Sequence, residues 1–362
     1  MALSLSSPGI SVREVDLTRG GIQNTTLRSA GIAAPFAKGP VNQIITIRNE
    51  DELKRVFGTP SNNDYHYEHW YSASNFLSYG GSLKVVRCNG TDLKNANAGV
   101  GVGSTALKIE NYDVYKASYE NSTSFYWAAR EPGYWAEELK VCFIDYLADQ
   151  TLSGINTTGV SVGYGVTQTL TGTIAGVGTT SVASGFLKGI ITGVGSSELY
   201  VRVVSKVVGG VETTQNYTEN SSYSFAATSL NIVNNGGTTA TAATPSNVND
   251  WYNSQNILDI AKGDSATIPW KSIAPKPTTN AYVTERGGSN DAMHIVVIDS
   301  KKSGNISGTS QTILEKFVNL SKATDATISP KTKIYYRDYI GLNSRYIFAG
   351  KSLGNATDSY WG

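Results

Sequence analysis

Residues 151 to 245 carry almost no helical pattern, and this constrains the chain more than any other feature. The stretch is dense in Gly, Thr, Ser and Val, and Leu199-Tyr200-Val201-Arg202-Val203-Val204 and Val207-Val208 read as strands. Gly209-Gly210 is a hairpin turn signal. The flanking textures differ. Ile44-Ile45-Thr46-Ile47 reads as a strand, and Asn49 with Glu52 forms a capping-box pattern ahead of a helix carrying Leu53, Val56 and Phe57. Gly58 and Pro60 stop that helix. A second helix fits Asp64 to Tyr79, with Trp70, Ala73 and Leu77 on one side, and Leu83 to Arg87 returns as a strand. Leu139 to Ile144 and His294 to Ile298 are further strands. A helix is predicted from about Thr309, carrying Ile313, Phe317 and Leu320, and a strand at Lys333-Ile334-Tyr335-Tyr336.

These textures predict a multi-domain α+β chain: a split α/β domain, a mixed sheet with helices, interrupted by an inserted all-β domain and preceded by an extended arm. The expected bounds are 1–25 for the arm, 26–150 and 246–362 for the two parts of the α/β domain, and 151–245 for the insertion. Residues 92–128 are a candidate small β protrusion. In the arm, Ser7-Pro8-Gly9 opens a segment that alternates at Ile10 and Val12 before Glu14 and Asp16, the texture of an extended strand.

Composition narrows the function. With 30 Lys+Arg against 29 Asp+Glu, the chain has no basic surplus for a polyanion, which excludes nucleic-acid binding as the main activity. Only 16% of residues are charged, and 21 tyrosines outnumber 9 Phe and 6 Trp. Such a neutral polar skin suits protein contact. The two cysteines, Cys88 and Cys142, support neither a disulfide framework nor a four-ligand zinc site. Each follows β-branched residues, so both are expected as buried thiols. No run is long and apolar enough for a membrane-spanning helix, and the start lacks a secretory pattern, so the chain is expected to be made and kept in a cytoplasm.

No motif marks a catalytic, cofactor-binding or metal-ligating residue. Gly350-Lys351-Ser352 follows a strand pattern, but a phosphate loop needs Gly where Arg345 stands. His66 and His69 lack a completing acidic or thiol partner, and His294 opens a buried strand. Gly263-Asp264-Ser265 resembles an esterase nucleophile block without a recognisable base. Nine Asn-X-Ser/Thr triplets, from Asn24 to Asn355, fit an alternative reading as a β-rich surface adhesin or carbohydrate-binding virion protein.

Several blocks in order resemble the tail sheath proteins of contractile-tailed, T4-like bacteriophages. They are Ser7 to Asp16; Ala30-Gly31-Ile32-Ala33 with Lys38 to Asn42; Phe57-Gly58-Thr59-Pro60; and Asn75 to Leu83 with Val85-Val86-Arg87. Glu131-Pro132-Gly133-Tyr134-Trp135 matches a family stretch except that Ala136 and Glu137 replace Gly-Asn. Trp270 to Pro277 and Glu285-Arg286-Gly287-Gly288 resemble the T4-like branch in particular. The resemblance implies a virion structural subunit without catalysis or cofactor. It would stack in hexameric rings on the tail tube, meet baseplate and tail terminator proteins, and contract during genome ejection. Its implied intersubunit arm is Ser7, Pro8, Gly9, Ile10, Val12, Glu14 and Asp16. Family members are longer, so the chain is expected to be an N-terminal portion without their C-terminal domain. On that expectation it is monomeric or weakly associated.

Overall fold

The computed structural model describes residues 28–60, 66–99, 107–170, 185–214, 217, 223–234, 236, 239–300, 306–329, 332–351 and 353. The chain combines helices with several sheets, and strand predominates. It divides into two compact units, residues 1–91 and 92–362, a boundary inside the 26–150 segment that the sequence pattern runs together.

The first unit contains β1 (Ser29–Ala34), β2 (Ile44–Ile47), α1 (Glu50–Phe57), α2 (His66–Ser78) and β3 (Ser82–Arg87). The sheet order is β1-β3-β2, with β1 parallel and β2 antiparallel to β3. Asn49 caps α1 as expected, its side chain accepting from Glu52 N at 2.8 Å. Glu52 accepts in turn from Arg48 N at 2.9 Å, one residue earlier than a strict capping box. Gly58 ends the helix at φ +82°. Ile47, Leu53, Phe57, Trp70, Ala73, Leu77, Leu83 and Val85 form the core. Arg87 is buried beside it, where its guanidinium donates to the carbonyls of Phe36 at 2.7 Å, Gly39 at 2.8 Å and Ala37 at 3.3 Å. Those bonds fix the Phe36–Gly39 bend. Gly39 has φ +106°, and a Cβ there would lie 2.6 Å from a Phe57 ring carbon.

The second unit begins with β4 (Asn97–Gly99), α3 (Tyr112–Val114), β5 (Phe125–Ala129) and β6 (Leu139–Asp145). Eight strands follow: β7 (Gln150–Ser153), β8 (Gly165–Leu170), β9 (Gly185–Val194), β10 (Glu198–Val208), β11 (Val211–Thr214), β12 (Leu230–Val233), β13 (Thr239–Ala243) and β14 (Asn247–Asp250). They make one antiparallel sheet in the order β13-β12-β8-β9-β10-β7-β14, with β11 on β10. Gly209 and Gly210, both at positive φ, turn β10 into β11 with Val208 opposite Val211. Leu152, Val166, Leu187, Ile191, Leu199, Val201 and Ile232 supply its inner face.

After the large sheet come β15 (Asn256–Leu258), β16 (Ile268–Pro269), α4 (Ala281–Thr284) and β17 (Ala292–Asp299). The chain continues through β18 (Thr312–Ser321), β19 (Thr327–Ser329), β20 (Thr332–Lys333), α5 (Tyr336–Asn343) and β21 (Ile347–Ala349). A sheet β18-β17-β6 centres on β17, whose residues are all buried, and a sheet β21-β5-β4 packs on one of its faces. Trp127, Met293, Ile295, Val297, Tyr336 and Ile340 fill that interface. Ile144, Val296 and Ile298 face the other way, onto Trp251, Ile257, Leu258 and Trp270.

Three expectations are corrected. The helix predicted from Thr309 is strand β18. Met293 pairs with Leu320 and Ile295 with Phe317, so a bulge at Val318 and Asn319 adds one residue between two side chains on the same face. That converts a strand's even spacing into a helix-like three. The strand predicted through Tyr336 gives way to α5, in which Tyr336 and Ile340 share the buried face. Cys88 is exposed, because alternation along β3 turns Val85 and Arg87 inward and leaves the next residue out. Cys142 is half-buried, and burial pushes its thiol pKa up.

Candidate site: the root of the large sheet

The arm residues Ser7, Pro8, Gly9, Ile10, Val12, Glu14 and Asp16 lie outside the described residues. Of the motifs that suggested chemistry, those within the described residues are occupied structurally. Gly350 N donates to Tyr126 O at 2.9 Å and Lys351 N to Phe125 O at 2.6 Å, so β5 takes two amides that a phosphate cradle would need. Ser265 bonds to Gln311 through its hydroxyl, while Asp264 pairs with Lys140 at 3.2 Å. His294, fully buried, uses both ring nitrogens on backbone. Nδ1 accepts from Asn319 N at 3.0 Å, which makes Nε2 the protonated nitrogen and the donor to Pro275 O at 2.8 Å. It satisfies the amide that the β18 bulge displaces, and it holds no serine. His66 and His69 lie on α2, and among the described residues no group of three His, Cys, Asp or Glu could hold a metal.

The concentrated polar chemistry is at the root of the large sheet, where the chain leaves β6 for β7 and returns from β14. Asp149, only 2% exposed, occupies the crossing. Its Oδ1 accepts from Tyr146 OH at 2.5 Å and from Lys276 Nζ at 2.8 Å, and its Oδ2 accepts from Val203 N at 2.9 Å. Its backbone N donates to Val201 O, and its carbonyl accepts from Trp251 N, both at 2.9 Å. One residue therefore ties the outgoing strand, β10 and the return to each other. The Lys276 ammonium lies 4.0 Å from the Tyr146 ring centre, and Arg202 stacks on the same ring at 4.7 Å while donating to Tyr146 O at 3.2 Å. Burial holds the Lys276 pKa below the ordinary lysine range, with the Asp149 carboxylate acting the other way. Burial, reinforced by the Asp149 charge, pushes Tyr146 well above the usual tyrosine range.

Two glutamines extend this scaffold inside the sheet. Gln150 donates to Phe225 O at 3.2 Å and accepts from Phe225 N at 2.7 Å; Gln168 likewise brackets Ala226, at 2.8 Å each way. Both amides thereby act as surrogate strand partners for the 225–228 loop. Lys276 falls within the Trp270–Pro277 block that the sequence makes legible, whereas no local pattern singles out Asp149.

No family model matches the chain. The tail sheath protein of Vibrio phage KVP40 is 36% identical over 95 residues, covering 26% of this chain and 14% of that protein. The tail sheath protein of Enterobacteria phage T4 is 39% identical over 85 residues, covering 24% of this chain and 12% of that protein. This chain resembles phage tail sheath proteins. The matched stretches span about a quarter of the chain and far less than two thirds of either relative. No described helix is long and apolar enough to cross a membrane.

Proposed function

We propose that the chain belongs to a structural subunit of a contractile phage tail sheath, made in the host cytoplasm and carried in the virion. In this reading it polymerises with other copies as hexameric rings around the tail tube, between baseplate and tail terminator. It contracts to drive the tube through the host envelope. The similarity to two tail sheath proteins carries the proposal. The physical character of the chain supports it: a net charge of only +1, two compact units and polar groups spent on scaffold bonds suit rigid bodies that exchange interfaces. Work of this kind is mechanical, and the reading assigns the chain no catalytic step. The arm from Ser7 to Asp16 would link neighbouring subunits, which is likewise part of the proposal.

Electron microscopy of the full-length protein containing this sequence tests it. Tubes of stacked rings with an extended and a shortened form are expected. Isolated particles that bind a glycan array would replace the sheath reading with the adhesin one.

A further inference from the structure

Asparagine followed by glycine occurs at Asn89-Gly90 and at Asn235-Gly236, and Asn235 lies outside the described residues. At Asn89-Gly90 three conditions for attack of the main chain on a side-chain amide come together. Glycine has no Cβ to shield its nitrogen, and its backbone rotates at little steric cost. Residues 88–90 lie outside helix and strand, directly after β3, so the Asn89–Gly90 peptide belongs to no strand ladder. Both residues are exposed, which admits the water that the reaction consumes.

Other asparagines miss at least one of these conditions. Asn95 is buried and precedes Ala96, and Asn97 opens β4 and precedes Ala98. Asn231 and Asn249 lie within β12 and β14, and Asn343 ends α5 ahead of Ser344. Cys88 N donates to Ala34 O at 3.0 Å, which fixes the end of the strand one residue before Asn89. Chemistry at 89 and 90 therefore leaves the β1-β3-β2 pairing in place.

We propose that Asn89-Gly90 is a site of spontaneous deamidation through a succinimide, an irreversible modification with water as the co-reactant. Gly90 N gives its proton to hydroxide and bonds to Asn89 Cγ. The Cγ–Nδ2 bond breaks, and Nδ2 leaves as ammonia with a proton from water. One water then opens the five-membered ring. Opening at Cγ gives aspartate; opening at the Asn89 main-chain carbonyl gives isoaspartate, in which the chain runs through Cβ. Nothing is oxidised or reduced. Either product adds one carboxylate, which takes the net charge from +1 to zero. Isoaspartate also lengthens the main chain by one carbon directly after β3. Neither product returns to asparagine, so their fraction records the time since synthesis.

The test holds the whole chain at mildly alkaline pH and follows it by peptide mapping, with a synthetic peptide of residues 85–94 in the same buffer to set the time scale. The fragment spanning Asn89 and Gly90 should gain about 1 Da and separate into two products, of which an isoaspartyl methyltransferase labels only isoaspartate. Gly90→Ala should slow the change roughly tenfold, because a Cβ shields the attacking nitrogen and restricts its backbone. Gly90 is not among the glycines at positive φ, so alanine there carries no backbone strain. Asn89→Gln, which has a larger ring to close, should keep its mass over the same period. A spanning fragment still unchanged when the synthetic peptide has converted would overturn the site. So would aspartate without isoaspartate, or a Gly90→Ala chain that reacts as fast as the parent, since either outcome means direct hydrolysis of the side chain instead of attack by Gly90 N.

Discussion

Lys276→Met isolates the physics of the root. Methionine keeps the length and apolar stem of the side chain, so packing against Tyr146 survives while the ammonium is lost. At 2.8 Å, with an effective dielectric near 20, the gross attraction to Asp149 is about 6 kcal/mol. Burial nevertheless depresses the Lys276 pKa, so lost hydration outweighs that attraction at the ammonium. The pair therefore contributes little net stability, yet breaking it strands a carboxylate that is 2% exposed. An uncompensated buried charge of this kind costs about 3–5 kcal/mol, lowered toward 3 here because Tyr146 OH and Val203 N still donate to Asp149. Asp149→Asn in the same background removes the stranded charge and should restore the chain to within about 1 kcal/mol of its starting stability. Urea unfolding followed by circular dichroism and by tryptophan fluorescence reports both, since Trp251 N bonds to Asp149 O. A cost below about 1 kcal/mol for Lys276→Met, or a double variant as unstable as the sum of the singles, would refute the reasoning.

Three other outcomes follow from the same structure. Gly39→Ala should destabilise the first unit by about 2–4 kcal/mol, from positive-φ strain plus collision with Phe57, and a thermal melt no lower than that of the parent would count against it. Gln150 and Asp250 are ladder partners, so residues 151–249 can be replaced by a two-residue turn; the remainder should stay soluble and melt cooperatively if the large sheet is an autonomous module, and a non-cooperative melt would show that it is not. Burial raises the pKa of Tyr115 and Tyr146, and that of Tyr252 to about 12, so each keeps its proton in the folded chain after an unfolded tyrosine has lost it. Their contribution is complete below about pH 10 and is lost above it, by up to about 1.4 kcal/mol per pH unit for each fully shifted group. Lys276 and Lys206, both shifted downward by burial, act in the opposite sense below the ordinary lysine range, but the raised tyrosines, with Tyr200, Tyr335 and Tyr346 among them, outnumber the two. A urea midpoint unchanged between about pH 9.5 and pH 11.5 would contradict this.

What the sequence made legible was chemistry confined to a few neighbouring residues. Asn49 and Glu52 cap α1 from three positions apart, Gly58 ends it, and Gly209-Gly210 turns β10 into β11. The strands at Ile44, Leu139 and His294 are readable because their runs are short, mostly apolar and rich in β-branched residues. The helix misread at 309–320 has a cause that no single-strand pattern contains, since the bulge exists only in the pairing with β17. Asp149 was invisible for the same reason: its partner Lys276 is 127 residues away. The proposed arm, Ser7 to Asp16, gains nothing from the structure, because it lies outside the described residues.

The Trp270–Pro277 block shows how resemblance and physics meet. Read as a string, it marked a branch of a family and carried no evident chemistry. In the fold, nearly every polar and aromatic element of it has a fixed partner. Trp270 fills the core under β6, Ala274 O accepts from Tyr252 OH at 2.8 Å, Pro275 O accepts from His294, and Lys276 reaches Asp149. Pro275 and Pro277 limit the backbone to extended conformations on either side of Lys276, which keeps the carbonyls of 274 and 275 available as acceptors. The segment therefore works as a strap across the root of the large sheet, joining it to β17 through His294 and to the return from β14 through Tyr252. Asp149 alone would fix only the crossing, and the strap makes the crossing rigid with respect to the sheet below. A substitution in the strap should therefore loosen the large sheet without unfolding its core, since Leu152, Leu187 and Val201 lie elsewhere.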